Sequence, residues 1–390
     1  MANYVTGVNP AVLKWARERA GFSLSEVAQS LGKAPETIAE WESGNSLPTY
    51  NQLEKLAYSL YKRPIAIFFF PTPPEEPEAA EAFRTLPQFE LDALLPDTRH
   101  AIRQARAFQV ALRELCDGKN PAPRQIIRSV QVRPSDSIRP SASVVRTFLR
   151  TTLEQQTKWK TYDYALENWR EAVQDCGVFV FKRAFKQDDI SGFCLSDEEF
   201  PVIYLSNSTA KARQIFSLFH ELGHLMLRTS GVTMLSDRYI DALSGDARAI
   251  EVFCNRFTAE FLVPSEDFQA HFSASRPLQR ETEHLADRYK VSREVILRKL
   301  LDRGIVDAAT YDSWVPTWEE EYRKSREGRG PGGDYYATQA TYLGHKYLSL
   351  AFSKYYQGAC SVEQLADYLN VKVASIPGLE HHALQRESAT

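Results

Sequence analysis

The chain has 390 residues, a formal net charge of −3, 43% hydrophobic residues and 25% charged ones. That length exceeds one ordinary domain and supplies a sizeable core without covalent staples, and the near-neutral balance excludes a global field drawing the protein to nucleic acid or to an anionic membrane. Cys116, Cys176, Cys194, Cys254 and Cys360 form no CxxC pair, which argues against a disulfide framework and a thiolate zinc site and leads us to expect a cytoplasmic protein.

In chain order, the N-terminal MANYVTGVNP lacks the basic-then-apolar pattern of a secretory leader. Four short helices are expected next. Leu13, Ala16 and Ala20 mark the first, ending at Gly21. Leu24, Val27, Ala28 and Leu31 mark the second, capped by Ser23 and stopped at Gly32. Pro35 opens the third, with Ile38 and Trp41, and Gly44 closes it; Leu53, Leu56, Ala57 and Leu60 mark the fourth. Helix, glycine turn and helix around Gly32 have helix-turn-helix spacing. The longest apolar run, Ile65 to Phe70, is far too short to span a membrane.

PTPPEEPE, from Pro71 to Glu78, reads as a stiff linker. Residues 97–176 read as helices, with Ala101, Ala105, Phe108 and Leu112 at helical spacing, then Tyr164, Trp169 and Val173. At Gly177 the period changes. Val178, Val180 and Phe181 predict a strand, as do Val202 to Leu205 beyond a polar stretch at Ser191-Gly192. An exposed edge on the second of these would accept a peptide by strand addition. Long helices are expected over about 210–227 and 246–261, two short ones around Leu285 to Leu300 with Ser292 as a cap, a break at GRGPGGD, and a small helical unit over 342–373. No strong internal repeat stands out.

The chemistry concentrates in FHELGH. His220 and His224, four apart on a helix, present both imidazoles on one face. Two nitrogens at that spacing can reach one metal at about 2.0–2.1 Å. Glu221 beside them is placed to take a proton from a water acidified by the ion. Gly223, a poor helix residue, implies close approach of another backbone. No third histidine follows at HxxGxxH spacing, so a carboxylate is expected as the third ligand. Glu251 is favoured, ahead of Asp241 and Asp246, with Asn255 one turn later orienting a histidine. Glu260 lies roughly opposite Glu251 on that helix, so only one of them can face the metal. Two imidazoles and a carboxylate suit Zn2+, although other divalent ions accept the same donors. Arg213, Tyr204 and Tyr239 are candidates for stabilising an oxyanion.

These residues together resemble the ImmA/IrrE family of metallo-endopeptidases over roughly Gly177 to Ser313. RQIFSLFHELGHLML (Arg213 to Leu227), EVFCNRFTAEFLVP (Glu251 to Pro264) and LADRYKVSREVILRKL (Leu285 to Leu300) carry the resemblance. It implies that His220, His224 and Glu251 bind metal and that Glu221 is the catalytic acid/base, with a helix-turn-helix repressor as the expected substrate. Ser217 stands where Thr is usual and Cys254 where Ala is usual. LSEVAQSLGKAPETIAEWESGNSLPTYNQLEKLA, Leu24 to Ala57, resembles the XRE (lambda-repressor-like) helix-turn-helix family. Its DNA contacts would fall to Lys33, Thr37, Arg17 and Lys14, yet the expected recognition helix also carries Glu36, Glu40 and Glu42, which repel phosphate.

The expected organisation is a mostly α chain. A helix-turn-helix domain occupies 1–70, a Pro/acid-rich linker 71–96, and a helical connecting region 97–176. A small α+β peptidase domain with a helical tail follows over 177–315, then a helical C-terminal region over 316–390. Three functions fit. One is a regulatory zinc endopeptidase cutting a helix-turn-helix repressor or partner protein. The second is a DNA-binding regulator whose metal domain senses without cutting. The third is an antitoxin-like protein bound to a toxin. A homodimer is compatible with each, and no membrane is involved.

Overall fold

The computed structural model describes residues 3–76, 83, 91–234, 240, 242–327 and 333–387. By its contacts the chain divides into two units, Met1–Glu81 with Gln88–Gln104, and Ala82–Pro87 with Ala105–Thr390. Part of the expected linker, the GRGPGGD break, Tyr239 and Asp241 lie outside the described residues.

In the first unit the local signals act as expected. Helix α1 (Pro10–Ala20) is capped by Asn9 and ended by Gly21 in the left-handed region. Helix α2 (Leu24–Leu31) starts with a full capping box between Ser23 and Glu26. Helix α3 (Pro35–Ser43) has proline in its first turn and ends at Gly44. Helix α4 (Tyr50–Glu54) runs on into a wider π turn, Lys55–Tyr61. Their apolar stripes meet in one core of Val12, Leu13, Ala16, Val27, Ile38, Trp41, Leu53 and Phe68.

The second unit is built on a four-stranded mixed sheet, β1 (Phe179–Arg183), β2 (Ile190–Leu195), β3 (Val202–Ser206) and β4 (Gly231–Met234), in the order β1-β3-β2-β4. β1 runs parallel to β3, while β2 is antiparallel to both β3 and β4. Two sequence expectations are corrected here. β3 lies between β1 and β2, so it presents no edge to a peptide; its hydrogen bonds are used on both sides. Ser191-Gly192 is not a polar loop but part of β2, where the register against β4 slips by one residue. β2 and β4 escaped the reading because burial on both faces removes the apolar–polar alternation by which a short strand is recognised.

One face of the sheet carries aromatic rings. Tyr204 stacks on Phe193, and Phe181 packs against Phe108 of helix α5 (Pro96–Leu115) and against Tyr347. The other face receives the long helix. Helices α6 (Ile138–Leu149) and α7 (Tyr162–Gln174), both in the expected connecting region, share one core with helix α8 (Lys211–Met226) and helix α9 (Gly245–Leu262). Trp169 is its hub, 4.9 Å from Phe219 and 5.3 Å from Phe261. Helices α10 (Leu278–Tyr289) and α11 (Arg293–Asp302) extend this core, and α12 (Ala308–Glu327) follows. Helices α13 (Tyr335–Leu343), α14 (His345–Tyr356), α15 (Val362–Leu369) and α16 (Ile376–Glu387) complete the chain.

One helix-ending turn recurs along the chain. Gly32, Lys290 and Asn370 each end a helix in the left-handed region, with φ of 63°, 55° and 52°. In each case the following N–H closes onto the carbonyl of an alanine, from Lys33 to Ala28, Val291 to Ala286 and Val371 to Ala366. The shared element is a backbone shape. Glycine adopts it without strain, but lysine and asparagine also occupy it, so the residue identities conceal it.

Candidate metal centre

Helix α8 brings His220, Glu221 and His224 to its junction with the sheet, all of them buried. Helix α9 crosses against it and inserts Glu251, also fully buried. Gly223 marks the crossing: a Cβ there would lie 3.0 Å from Cys254 Sγ, so the missing side chain is what lets the two helices approach. Cys254, where the resemblance expects alanine, occupies that gap.

Among the described residues, His220, His224 and Glu251 are the group able to hold a metal ion, with donor atoms all within 4.8 Å of one another. His220 Nε2 and His224 Nε2 are 3.1 Å apart. Glu251 Oε2 is 3.3 Å from His220 Nε2, and its Oε1 is 3.4 Å from His224 Nε2. A tetrahedral ion at about 2.0–2.1 Å from each donor needs donor–donor separations of about 3.3–3.4 Å, so the triangle has the right size for one. Burial tends to raise the Glu251 pKa, but His224 and His220 outweigh it and hold the carboxyl well below the usual range, in the anionic form a ligand needs. These residues therefore fit a divalent metal.

The outer nitrogens are held as a metal site requires. His220 Nδ1 meets Asn255 Oδ1 at 3.0 Å, the partner expected from the one-turn offset to Glu251. His224 Nδ1 faces Thr229 Oγ1 at 3.4 Å, a contact not foreseen from sequence. Glu221 points its Oε1 at the Thr233 hydroxyl, which donates to it at 2.5 Å. Its Oε2 has no hydrogen-bond partner among the described residues. The Cys194 thiol, kept protonated by burial, also lies within reach of Glu221.

Three further residues were missed from sequence: Thr229, Thr233 and Gly231. A Cβ on Gly231 would come within 2.5 Å of the His224 ring, so only glycine lets β4 pass this close. A lone glycine just past the expected HELGH helix was the signal the sequence offered.

The other candidates lie elsewhere. Glu260 faces away from the metal group, accepting from Lys299 at 3.0 Å and from Ser265. Asp246 is exposed at the start of α9. Arg213 donates to the Met234 carbonyl and to Ser191 Oγ. Tyr204 stands on the aromatic face of the sheet, opposite Cys194 and the metal group. In the helix-turn-helix unit Lys14 and Lys33 are exposed and Thr37 is half-buried. Arg17 is engaged bidentately by Glu42, at 2.7 and 2.9 Å, and donates to the Phe22 carbonyl. Glu36 and Glu40 remain exposed on α3.

A buried His–His–Glu group on two crossing helices, beside a small sheet and joined to a helix-turn-helix unit, defines the class: a metallopeptidase-type domain carried with a helix-turn-helix domain. Residues 173–301 match the peptidase family described as the IrrE N-terminal-like domain, and residues 13–57 match the helix-turn-helix family. The chain thus carries an IrrE N-terminal-like domain, in agreement with the resemblance read from HELGH and the Glu251 helix. No curated protein matches the chain. Among the described residues no helix is long and apolar enough to cross a membrane.

Proposed function

We propose that this protein is a regulatory zinc endopeptidase of the cytoplasm that cuts a helix-turn-helix repressor or a similar partner protein. The supporting observation is the Glu221 carboxylate, carried on the helical turn between His220 and His224: one oxygen is fixed by Thr233, and the other has no hydrogen-bond partner among the described residues. In this reading His220, His224 and Glu251 hold the ion and Asn255 orients His220. When bound, zinc supplies Lewis acidity that lowers the pKa of a water toward about 7. Glu221 Oε2 takes the proton from the attacking water and passes it to the leaving amine. The buried surroundings keep bulk water from competing and strengthen each charge interaction.

The helix-turn-helix unit serves docking. Exposed Glu36 and Glu40, with Arg17 bound to Glu42, favour a protein partner over a phosphate backbone. Lys14 and Lys33 are the basic groups still presented to solvent among the four residues considered for DNA.

The test is Glu221→Gln in the full-length protein. Metal content by elemental analysis should match the parent, and cleavage of a proteome-derived peptide library should fall by at least about 100-fold. Equal cleavage by the variant rules out Glu221 as the acid/base. A metal-loaded parent that cuts nothing supports the non-cutting regulator, and capture of a neighbouring toxin supports the antitoxin reading.

A further inference from the structure

We infer that Thr233 is a positioning residue for Glu221, held in place by the bulge at Ser191; this rests on the peptidase reading only for its effect on rate. Thr233 lies on β4, at the margin of the sheet, opposite Gly192 of β2. Ile190 pairs with Met234 and Gly192 with Thr233, so Ser191 is the extra residue of a bulge. Bulges re-aim side chains and tighten the local twist. Here the bulge aims the buried Ser191 hydroxyl at the Thr233 carbonyl, 3.2 Å away.

Ser191 is itself held from helix α8. Ser217 Oγ donates to Ser191 Oγ at 2.8 Å, and Arg213 Nε does so at 3.4 Å. Arg213 also reaches the carbonyl of Met234, next to Thr233. Strand β4 is thus tied to the helix bearing Glu221 at the carbonyls of Thr233, through Ser191, and of Met234. The consequence is geometric. The Thr233 hydroxyl takes Oε1, so the Glu221 carboxylate cannot rotate about its last bond without breaking a buried hydrogen bond. Oε2, which has no hydrogen-bond partner among the described residues, is the oxygen left for a water. A carboxylate locked in this way meets the reacting water without reorganising.

Thr233→Val keeps the shape and strand preference of the residue but removes the hydroxyl, while Thr233→Ser retains it. Infrared spectroscopy of the full-length protein reads the bond directly: the carboxylate band lost in Glu221→Gln identifies Glu221. That band should shift in Thr233→Val and return in Thr233→Ser. In peptide-library cleavage the same substitution should lower kcat by about 10- to 100-fold, with KM and bound zinc unchanged and Ser restoring the rate. An unshifted Glu221 band in Thr233→Val overturns the assignment, as does a rate loss that Ser fails to rescue. If the parent cuts no peptide, the peptidase reading fails while the infrared result still judges Thr233. If Thr233→Val does not fold, Ser191→Ala takes its place, with a smaller shift of the same band expected and no shift counting against the assignment.

Discussion

At the scale of single residues, the candidate metal centre depends on what is absent as much as on what is present. Gly231 and Gly223 have no side chains where a Cβ would meet the His224 ring and Cys254, respectively. Gly231 is the tighter, at 2.5 Å from two ring atoms. Gly231→Ala should therefore displace either β4 or the imidazole. We expect a loss of about 1–3 kcal/mol of stability from overpacking, together with weaker zinc binding. Thermal melts and a zinc titration check this; an unchanged melt and unchanged affinity would mean that β4 does not seat against the ring. Of the candidate site residues, the two histidines were legible because four-residue spacing alone sets their shared face, and Glu221 because it stands beside the first of them in HELGH. Thr229, Thr233 and Gly231 were not, because their roles exist only once a strand lies over the helix.

At the scale of elements, the sheet carries an unusual charge. Lys182 on β1 is buried with its side chain fully inaccessible, and its ammonium is 3.6 Å from Glu167. Burial, reinforced by neighbouring Arg170 and opposed by Glu167, pushes its pKa down to about 7 from 10.5. Between those values the unfolded chain holds a proton that the folded chain does not, so stability rises with pH across this window. Below about pH 7 both states are charged and the full burial penalty applies. Lys182→Met should raise the melting temperature most at pH 7 and below, by the equivalent of about 1–4 kcal/mol, with the gain fading as pH approaches 10.5. Melts of both proteins at three pH values decide it; a gain independent of pH would show that burial does not depress the Lys182 pKa. Nothing in the sequence of FVFKR marks this lysine as buried, because it sits at a strand end where a solvent-facing lysine is ordinary.

At the scale of the whole molecule, two compact units divide the chain, and the metal group belongs to one of them. An ion bound to the folded state alone stabilises that unit by about 2.7 kcal/mol at a concentration 100 times its Kd. Calorimetry of the full chain with zinc and with a chelator should move the transition of the 105–390 unit and leave that of the helix-turn-helix unit in place. Glu251→Gln should abolish the zinc-dependent shift. Two transitions moving together would show that the units unfold as one.

The amino-acid sequence by itself determined what short-range geometry controls. The helix starts at Ser23 and Pro35, the turn at Gly32, and the pairing of His220 with His224 depend only on neighbours within about one helical turn. Glu251 and Asn255 were also readable, since one turn separates them and the family resemblance supplies their partner helix. Only the tertiary structure decided which strands lie inside the sheet, which oxygen of Glu221 is held, and how close β4 comes to His224. Those outcomes follow from contacts between segments far apart in the chain, where hydrogen bonding across strands and the fit of one backbone against another side chain set the arrangement, and no local pattern encodes either.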